Sequence, residues 1–282
     1  MSRPTTSRLR REGMILLNVL LVLAVASVAV LIMISTQDIE VQRSTRLRDA
    51  AQASAYARAG ELSAITALRR DALTAAATDN LTEPWAALSQ QDIAVPNGRF
   101  ALAIEDEQAH FNLNALQTGD AGPIDLFQRI GAALEVDPAS LIRIATVVRV
   151  AGPLTDDSLI RAAGVPRADL DRLLPYVTLL PPRAGVNLNT VNPSLLALMT
   201  NDPEVAQALL EQRSAQGYLL PGDVAAAGAA SLPGAGYTSD HYRVITTVTV
   251  GDVTQVLDSR LARLRAPGTV DVVVTGRRRT AG

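Results

Sequence analysis

An uncharged apolar run close to the start of the sequence limits the structures that this chain can form. From Met14 to Ile34 the only polar residues are Asn18 and Ser27. A helix of this length, at about 1.5 Å per residue, reaches about 30 Å and can cross the hydrocarbon core of a bilayer. Arginines precede the run and acidic residues follow it, so we expect a cytoplasmic N-terminus and an exported remainder.

A cleaved secretory signal is the alternative to a retained membrane helix. Such a signal has an apolar region of about 7–15 residues before small residues at the cleavage site. Ala24-Val25-Ala26 imitates that site, but the apolar residues 28–34 would then form the new N-terminus. The sequence therefore favours a transmembrane helix over residues 14–35. Because strong helix formers dominate the next segment, we expect a periplasmic stalk helix over residues 36–79.

Small side chains recur at spacings of three and four along the predicted stalk. Residues that lie three and four apart share one face of a helix, and small side chains there permit close backbone approach. Packing of this face on the protein's own domain and packing against another subunit both remain open. The residues in this strip are Ala50, Ala53, Ala57, Gly60, Ala64 and Ala67.

Composition narrows the chemistry of the exported part. The 282 residues carry a net charge of −2, and all 26 basic residues are arginine. The absence of cysteine excludes disulfides, cysteine catalysis and thiolate metal sites. The mildly acidic balance gives no reason to expect a nucleic-acid partner.

Turn and capping signals divide the rest of the chain. Residues 78–98 resemble an irregular connector, and residues 267–282 a flexible tail. Two local echoes, the sequences FNLNAL and VNLNT, indicate exits from extended segments into helices, because Asn side chains bond to nearby backbone. The predicted strands are Arg99–Ile104, Tyr242–Val250 and Val253–Leu264, and the predicted helices are Pro123–Leu134, Pro138–Val150, Asp156–Ala163, Pro166–Leu174, Pro193–Met199 and Pro203–Arg213.

The sequence RREGM before the apolar run resembles the class III signal of type IV pilins and type II secretion pseudopilins. In that family a membrane-embedded prepilin peptidase cuts after the glycine and methylates the new amine. The resemblance implies a leader over residues 1–13, cleavage between Gly13 and Met14, and methylation of Met14. Family members usually carry Glu at the fifth mature position, whereas this chain has Asn18, which indicates that the subunit does not pair in the standard way.

The whole order of segments is similar to the general secretion pathway protein K family, the large minor pseudopilins of type II secretion systems. The motif residues that carry this likeness are Phe111, Asn112, Leu113, Asn114, Asn187, Asn189 and Thr190. The family implies an α+β fold: a pseudopilin α/β domain, here 80–116 and 239–266, with an inserted all-α domain, 117–238, that contains a helix-hairpin-helix-like part.

The family also implies a function and partners. Its members act at the pseudopilus tip, where they start assembly for the export of folded proteins across the outer membrane. The expected partners are the I, J and H types of pseudopilin, the pseudopilus, the inner-membrane assembly platform and the prepilin peptidase. The expected location is the inner membrane, crossed once, with the C-terminal domain in the periplasm. A minor pilin of a type IV pilus-like system is an alternative.

Calcium binds in the family through acidic segments that this chain lacks. The adjacent carboxylates of Asp156 and Asp157 fit helix N-capping, and calcium needs about six or more converging oxygens. We therefore expect no metal and no other cofactor.

A DNA-binding protein and an enzyme are two other functional classes, and the sequence supports both less well. Residues 187–238 resemble a helix-hairpin-helix DNA-uptake module, but the hairpin position, residues 200–203, has no glycine, and Arg213 is the one basic residue in the segment. An enzyme is not expected, because Ser239, Asp240 and His241 are adjacent and cannot form a relay, and His110 has no metal-ligand partner in sequence.

Overall fold

One long helix, α1, forms the first part of the molecule and spans Thr6–Thr74. The architecture comes from a computed structural model that describes residues 6–74, 77–229, 232–266 and 269–281, with side chains from residue 16 to residue 280 within those ranges. The backbone of Gly13 and Met14 lies in α1, whereas leader residues 1–5 are outside the described residues. α1 contains an apolar stretch long enough to cross a membrane.

The two halves of α1 have different surroundings. Residues 16–48 are exposed on all sides, and they include residues 16–34 of the apolar run. From Ala53 onward one face is buried, and it is the face of small residues predicted from the sequence. A Cβ on Gly60 would lie 2.9 Å from the Phe100 ring, so glycine permits the close approach of α1 to the sheet. The small strip thus packs on the protein's own domain.

α1 packs on a five-stranded antiparallel sheet with the order β1-β2-β7-β8-β9. Apolar side chains on alternate positions of the central strands face α1 and form two hydrophobic clusters with it. The strands are β1 (Gln90–Val95), β2 (Gly98–Asp106), β7 (His241–Val250), β8 (Val253–Ala266) and β9 (Thr269–Ala281).

Three predictions about this part were wrong. The stalk helix ends at Thr74 rather than residue 79, because the Asp79 N–H donates to Tyr237 O at 2.9 Å and the chain has turned away. The predicted connector includes β1, an edge strand with a bulge between Gln90 and Ile93. The predicted flexible tail contains β9, which pairs along most of β8 and buries Val272.

Helices occupy most of the chain between β2 and β7, which we call the helical domain (residues 107–240). Its own hydrophobic core is separate from the clusters under α1. Two short parallel strand pairs, β3 with β4 and β5 with β6, close loops within it. The elements after β2 are β3 (Phe111–Asn112), α3 (Ala121–Ala133), α4 (Pro138–Ala151), α5 (Ser158–Ala162), α6 (Arg167–Leu173), β4 (Val177–Thr178), β5 (Val186–Asn187), α7 (Pro193–Thr200), α8 (Pro203–Gln216), α9 (Pro221–Ala226) and β6 (Ala235–Gly236); the four-residue helix α2 (Pro84–Ala87) precedes β1, and 3-10 turns cover Glu107–Ala109 and Leu113–Thr118.

The helix starts follow the predicted capping chemistry. Asp137, Asn192 and Asp202 each accept a hydrogen bond from a backbone N–H in the first turn of the next helix. Each is followed by proline at the first helical position, where no N–H is needed. The sequence did not predict α9, a helix of six residues.

Candidate functional site: the joint between stalk, sheet and helical domain

The first Asn-x-Asn motif fixes loops inside the helical domain. Asn112 Oδ1 accepts from the N–H groups of Asn114, at 3.1 Å, and Leu180, at 3.0 Å. The Asn114 side-chain amide forms two hydrogen bonds with the backbone of Leu154. Its Oδ1 accepts from the N–H at 2.9 Å, and its Nδ2 donates to the C=O at 2.8 Å. Both asparagines are buried, so these bonds satisfy backbone groups that water cannot reach.

The second motif repeats the same local geometry. Asn187 Oδ1 accepts from the Asn189 N–H at 3.0 Å. The Asn189 amide pairs with the backbone of Leu219, accepting from its N–H at 2.5 Å and donating to its C=O at 3.3 Å. Phe111 and Leu113 of the first motif are buried in the core of the helical domain, as are Val186 and Leu188 of the second. The two motifs therefore have the same structural role: each one fixes its own turn and holds a later backbone segment of the helical domain.

The Asn187 amide also reaches out of the helical domain. Its Nδ2 lies 2.8 Å from Asp79 O, 3.0 Å from Asp106 Oδ2 and 2.9 Å from Ser239 Oγ. These partners lie at the end of the stalk, at the end of β2 and before β7. We call the region where they meet the joint; its residues are Asp71, Asp79, Glu83, Asp106, Asn187, Thr190, Ser239, Tyr242 and Arg263.

Asp106 is the hydrogen-bond acceptor at the centre of the joint. Its carboxylate accepts from Ser239 Oγ and Thr190 Oγ1, each at 2.5 Å, from Asn187 Nδ2 and from the Gln108 N–H. Burial raises the pKa of Asp106, and these four neutral donors oppose the rise. One carboxylate therefore ties the sheet, the second motif and the entry to β7.

Arg263 supplies the positive charge of the joint. Its Nη1 lies 2.5 Å from Asp79 Oδ1 and its Nη2 lies 3.1 Å from Asp71 Oδ2, with the guanidinium 5.1 Å from the centre of the Tyr242 ring. All these side chains are buried. Burial raises the pKa of the Tyr242 phenol well above its usual value, and Tyr242 donates to Asp79 Oδ1. A buried ion pair of this kind costs stability when either partner is removed.

Three buried carboxylates surround this arginine and form the one potential metal-ligand cluster among the described residues. An oxygen atom from each of Asp71, Asp79 and Glu83 lies within 4.8 Å of the others. Burial, followed by repulsion from Glu83 and Asp79, raises the pKa of Asp71 to about 7. Most of the oxygens already accept hydrogen bonds, including Glu83 Oε2 from Trp85 Nε1 at 2.8 Å.

The residues considered for other chemistry have structural contacts. Ser239 Oγ donates to Asp106, and burial lowers the pKa of both His110 and His241. Asp156 precedes the N-cap of α5, and its Oδ1 accepts from the Ser158 N–H, whereas Asp157 at the N-cap position makes no side-chain capping bond. Asp157 instead pairs with Arg161, with Nε 2.8 Å from Oδ2.

Arg213, the one cation of the DNA-module-like segment, points inward. Its Nη1 donates to Leu188 O at 2.9 Å and to Val191 O at 2.8 Å, which closes the second motif onto α8. Burial lowers the pKa of this guanidinium. The hairpin between α7 and α8 turns at Asn201, with a φ of 52°, and Asp202 caps the next helix. This arrangement offers an acidic turn where phosphate binding would need cations.

The predicted membrane residues lie at the other end of the molecule. Asn18 is exposed on α1, on the same helix face as the apolar side chains of Val22 and Ala26. Ser27 satisfies its hydroxyl within the helix by donating to Leu23 O. The structure therefore separates the site residues into a membrane group and the two motif groups.

The sequence did not indicate Asp79 or Arg263, and the acidic run of residues 105–107 is typical of a strand end that faces water, whereas Asp106 and Glu107 are buried. Several of their bonds join residues more than 80 positions apart, for example Thr190 with Asp106 and Arg263 with Asp79. The Asn-x-Asn echo was the one local signal that led to this region.

The amino-acid sequence of this chain is similar to those of two curated proteins. No protein-family model matches the chain. Type II secretion system protein K of Klebsiella pneumoniae is 31% identical over 252 residues, which cover 74% of this chain and 77% of the relative. The protein of the same name from Pseudomonas aeruginosa is 27% identical over 296 aligned positions, with coverage of 90% and 89%.

The fold also has a solved counterpart. A chain in the crystal structure of the GspK–GspI–GspJ complex of the enterotoxigenic Escherichia coli type 2 secretion system superposes with a TM-score of 0.68 at 21% identity. The match covers 85% of this chain and 99% of that one. The predicted α+β fold class is confirmed, and the apolar stretch of α1 fits a single-pass membrane anchor. The chain belongs to the type II secretion system protein K family, and its role is that of a minor pseudopilin of this system.

Proposed function

We propose that this minor pseudopilin is the uppermost subunit of the pseudopilus and that it starts fibre assembly. The observation that carries this proposal is the position of the helical domain at the end of the sheet far from the membrane helix. At the near end, the turn at Gly251 lies against Asp49 of α1. At the far end, Asp71 of α1 meets Arg263, about 33 Å further along at about 1.5 Å per residue.

The helical domain begins after Asp106 and ends before His241, both at the far end of the sheet. A subunit stacked above this one would need the same space. A subunit below meets only α1 and the sheet. This asymmetry supports a subunit that begins a fibre rather than one that repeats along it.

We propose that its partners are the I-type and J-type minor pseudopilins. The solved relative is a complex of GspK with GspI and GspJ. In this chain, residues 16–48 of α1 are exposed on all sides and include the large side chains of Ile39, Val41 and Leu47 outside the apolar run. An exposed helix with apolar side chains suits packing against similar helices. The family resemblance adds H-type pseudopilins and the assembly platform.

We further propose cleavage between Gly13 and Met14 by the prepilin peptidase, followed by methylation of Met14. The helix would then lie in the inner membrane with its N-terminus in the cytoplasm, since arginines precede it and acids follow it. We assign no catalytic activity and no cofactor to this role. Intact-mass analysis should give a methylated chain that starts at Met14, whereas a chain that starts near Ser27 would refute the cleavage site.

Asn18 is consistent with the tip position. Position 18 lies near the cytoplasmic end of the apolar run, so an unpaired carboxylate there would cost less than the about 2.5–3.5 kcal/mol of the helix centre but would still oppose insertion, and an uppermost subunit has no neighbour above it to pair with that charge. Asn removes the charge and retains a hydrogen-bonding group. We therefore expect Asn18→Glu to leave secretion unchanged or to lower it.

Quantitative labelling tests the tip assignment. We expect about one copy per fibre, with gold-labelled antibody confined to one end. A matched antibody against the major subunit should label the shaft. Labelling of this protein along the shaft, or a copy number equal to that of the major subunit, would exclude the tip position while leaving its family membership intact.

A further inference from the structure

We propose that the acidic triad of Asp71, Asp79 and Glu83 holds one proton, and that loss of this proton loosens the end of the stalk helix from the joint. The joint would then be a pH-sensitive connection between the membrane-anchored helix and the helical domain. This inference does not depend on the tip position.

The charges around the triad do not balance without a proton. Three carboxylates face one fully buried guanidinium, Arg263. Arg265 is one-third exposed and divides its charge between Asp79, at 3.3 Å, and Asp240, at 2.7 Å. The groups that face the triad are Arg263 and Arg265 of β8, Tyr242 of β7, Asp240 before β7 and Trp85 of α2.

Hydrogen bonds single out Asp71 as the acid that takes the proton. Asp79 accepts from Tyr242, from the Ser239 N–H and from the arginines. Glu83 accepts from Trp85 and from Asn80, which donates through both its side chain and its backbone. Asp71 Oδ1 is buried and has no partner among the described residues, whereas its Oδ2 accepts from Arg263.

A proton fits this position better than a divalent cation. Calcium needs about 6–8 oxygen ligands, and the triad leaves one carboxylate oxygen without a partner. Arg263 also lies where it would repel a second cation. Carboxylates held close together cannot all ionise, so one of them has a raised pKa. Burial and the two neighbouring carboxylates accordingly raise the pKa of Asp71 to about 7.

The raised pKa of Asp71 decides whether a rise in pH stabilises or destabilises the protein. Between the ordinary value of 3.8 and about 7, the folded state binds more protons at Asp71 than the unfolded state. The contribution of Asp71 to stability is therefore lost as the pH rises through this range, and it stays low above about 7. Burial raises the pKa of Glu83, Asp106 and Glu107, so these groups act in the same direction, whereas His110 and His241 act in the opposite one.

Because several groups titrate, the test compares variants rather than one profile. Trp85 is the one tryptophan in the chain, and its indole bonds to Glu83, so its emission reports on the triad. We would record Trp85 emission and the melting temperature of the full chain in detergent micelles from about pH 5 to about pH 9. Asp71→Asn imitates the protonated acid, and Asp171→Asn, an exposed residue that makes a 3.5 Å ion pair with Arg167, is the matched control.

We expect the emission of the wild type and of Asp171→Asn to change with a midpoint near pH 7, and that of Asp71→Asn to stay flat. The melting temperature of Asp71→Asn should exceed that of the wild type at about pH 8 and match it at about pH 5. A flat wild-type profile, or an unchanged profile in Asp71→Asn, would refute the proposal. So would a rise in the wild-type melting temperature with micromolar calcium that is lost in Asp71→Asn, because a cation would then occupy the triad.

A second measurement covers the case in which Asp71→Asn does not fold. Infrared difference spectra of the wild type, labelled with ¹³C-aspartate, should show a protonated carboxylic acid that disappears with a midpoint near pH 7. If no labelled acid titrates in that range, the proposal is wrong.

Discussion

Asn112 and Asn187 occupy equivalent places in two copies of the same turn, but their amide groups contact different parts of the molecule. Asn112 Nδ2 donates to the carbonyls of Pro181 and Ala184, both within the helical domain. Asn187 Nδ2 instead donates to the Asp79 carbonyl after the stalk helix, to the Asp106 carboxylate and to the Ser239 hydroxyl, all outside the core of the helical domain. One motif closes a domain, and the other attaches that domain to the sheet.

This difference between the two asparagines shows how two separate hydrophobic cores are joined. The helical domain and the stalk–sheet unit each bury their own apolar clusters. At the joint, by contrast, the groups that meet are largely polar or charged and almost all of them have partners. Apolar contacts are tolerant of direction, whereas hydrogen bonds and ion pairs require a fixed geometry. The polar joint therefore sets the orientation of the helical domain on the stalk.

Removal of the buried cation should have the largest effect. Arg263→Met retains much of the apolar stem but leaves the acidic triad without its main counter-charge. We expect a loss of about 3–5 kcal/mol in the free energy of unfolding, the range for a broken buried pair. Chemical denaturation of the full chain in micelles measures this loss.

Arg265→Met is the matched control for that experiment. Arg265 is one-third exposed and makes its shorter contact with the half-exposed Asp240. We expect a loss of about 1 kcal/mol or less, as for surface pairs. Equal losses in the two variants would mean that the joint is not held by its buried charge.

The second prediction separates the two motifs directly. Asn187→Ala and Asn112→Ala each leave buried groups without partners, and we expect losses of about 3 kcal/mol in both. The position of local opening should differ. Limited proteolysis with mass spectrometry should show new cuts at residues 77–83 and 237–240 for Asn187→Ala, and at residues 179–184 for Asn112→Ala. The same cuts in both variants would contradict the division of roles.

Local signals in the sequence predicted the elements well where a residue acts on its own neighbourhood. Asn192 and Asp202 each precede proline and cap the helix that follows, so the starts of α7 and α8 were correct. The Asn-x-Asn echo was also visible, because each first asparagine bonds to the N–H two residues on. Such bonds depend on the sequence within a few residues, which is why they can be predicted.

The joint and the last strand could not be predicted in the same way. Arg263 lies on a strand that was predicted correctly, but its partners Asp71 and Asp79 are more than 180 positions earlier. The sequence predicts a flexible tail in place of β9, because the arginine run of residues 277–279 indicates a solvated segment. Val270, Val272 and Val274 alternate there, and pairing with β8 turns this alternation into a strand that packs beside α1.

The smallest predicted effect tests the one position at which the two motifs differ in hydrogen-bonding capacity. Thr190 follows the second Asn of its motif and donates to Asp106, whereas Ala115 holds the same place in the first motif. Thr190→Ala converts the second motif to the pattern of the first. Asp106 retains three other donors, so we expect a loss of about 1.5 kcal/mol, the lower end of the range for one hydrogen bond to a charged acceptor.

The reverse change shows whether a threonine at this place stabilises by itself. Ala115 is half-buried beside the cleft under α3, and the carboxylate that lines this cleft, Asp120, is exposed, unlike the buried Asp106. We expect Ala115→Thr to change the free energy of unfolding by no more than about 0.5 kcal/mol. A gain similar in size to the loss in Thr190→Ala would show that the hydroxyl acts on its own turn rather than through Asp106. The attachment of the helical domain would then rest on Asn187 and the buried charges.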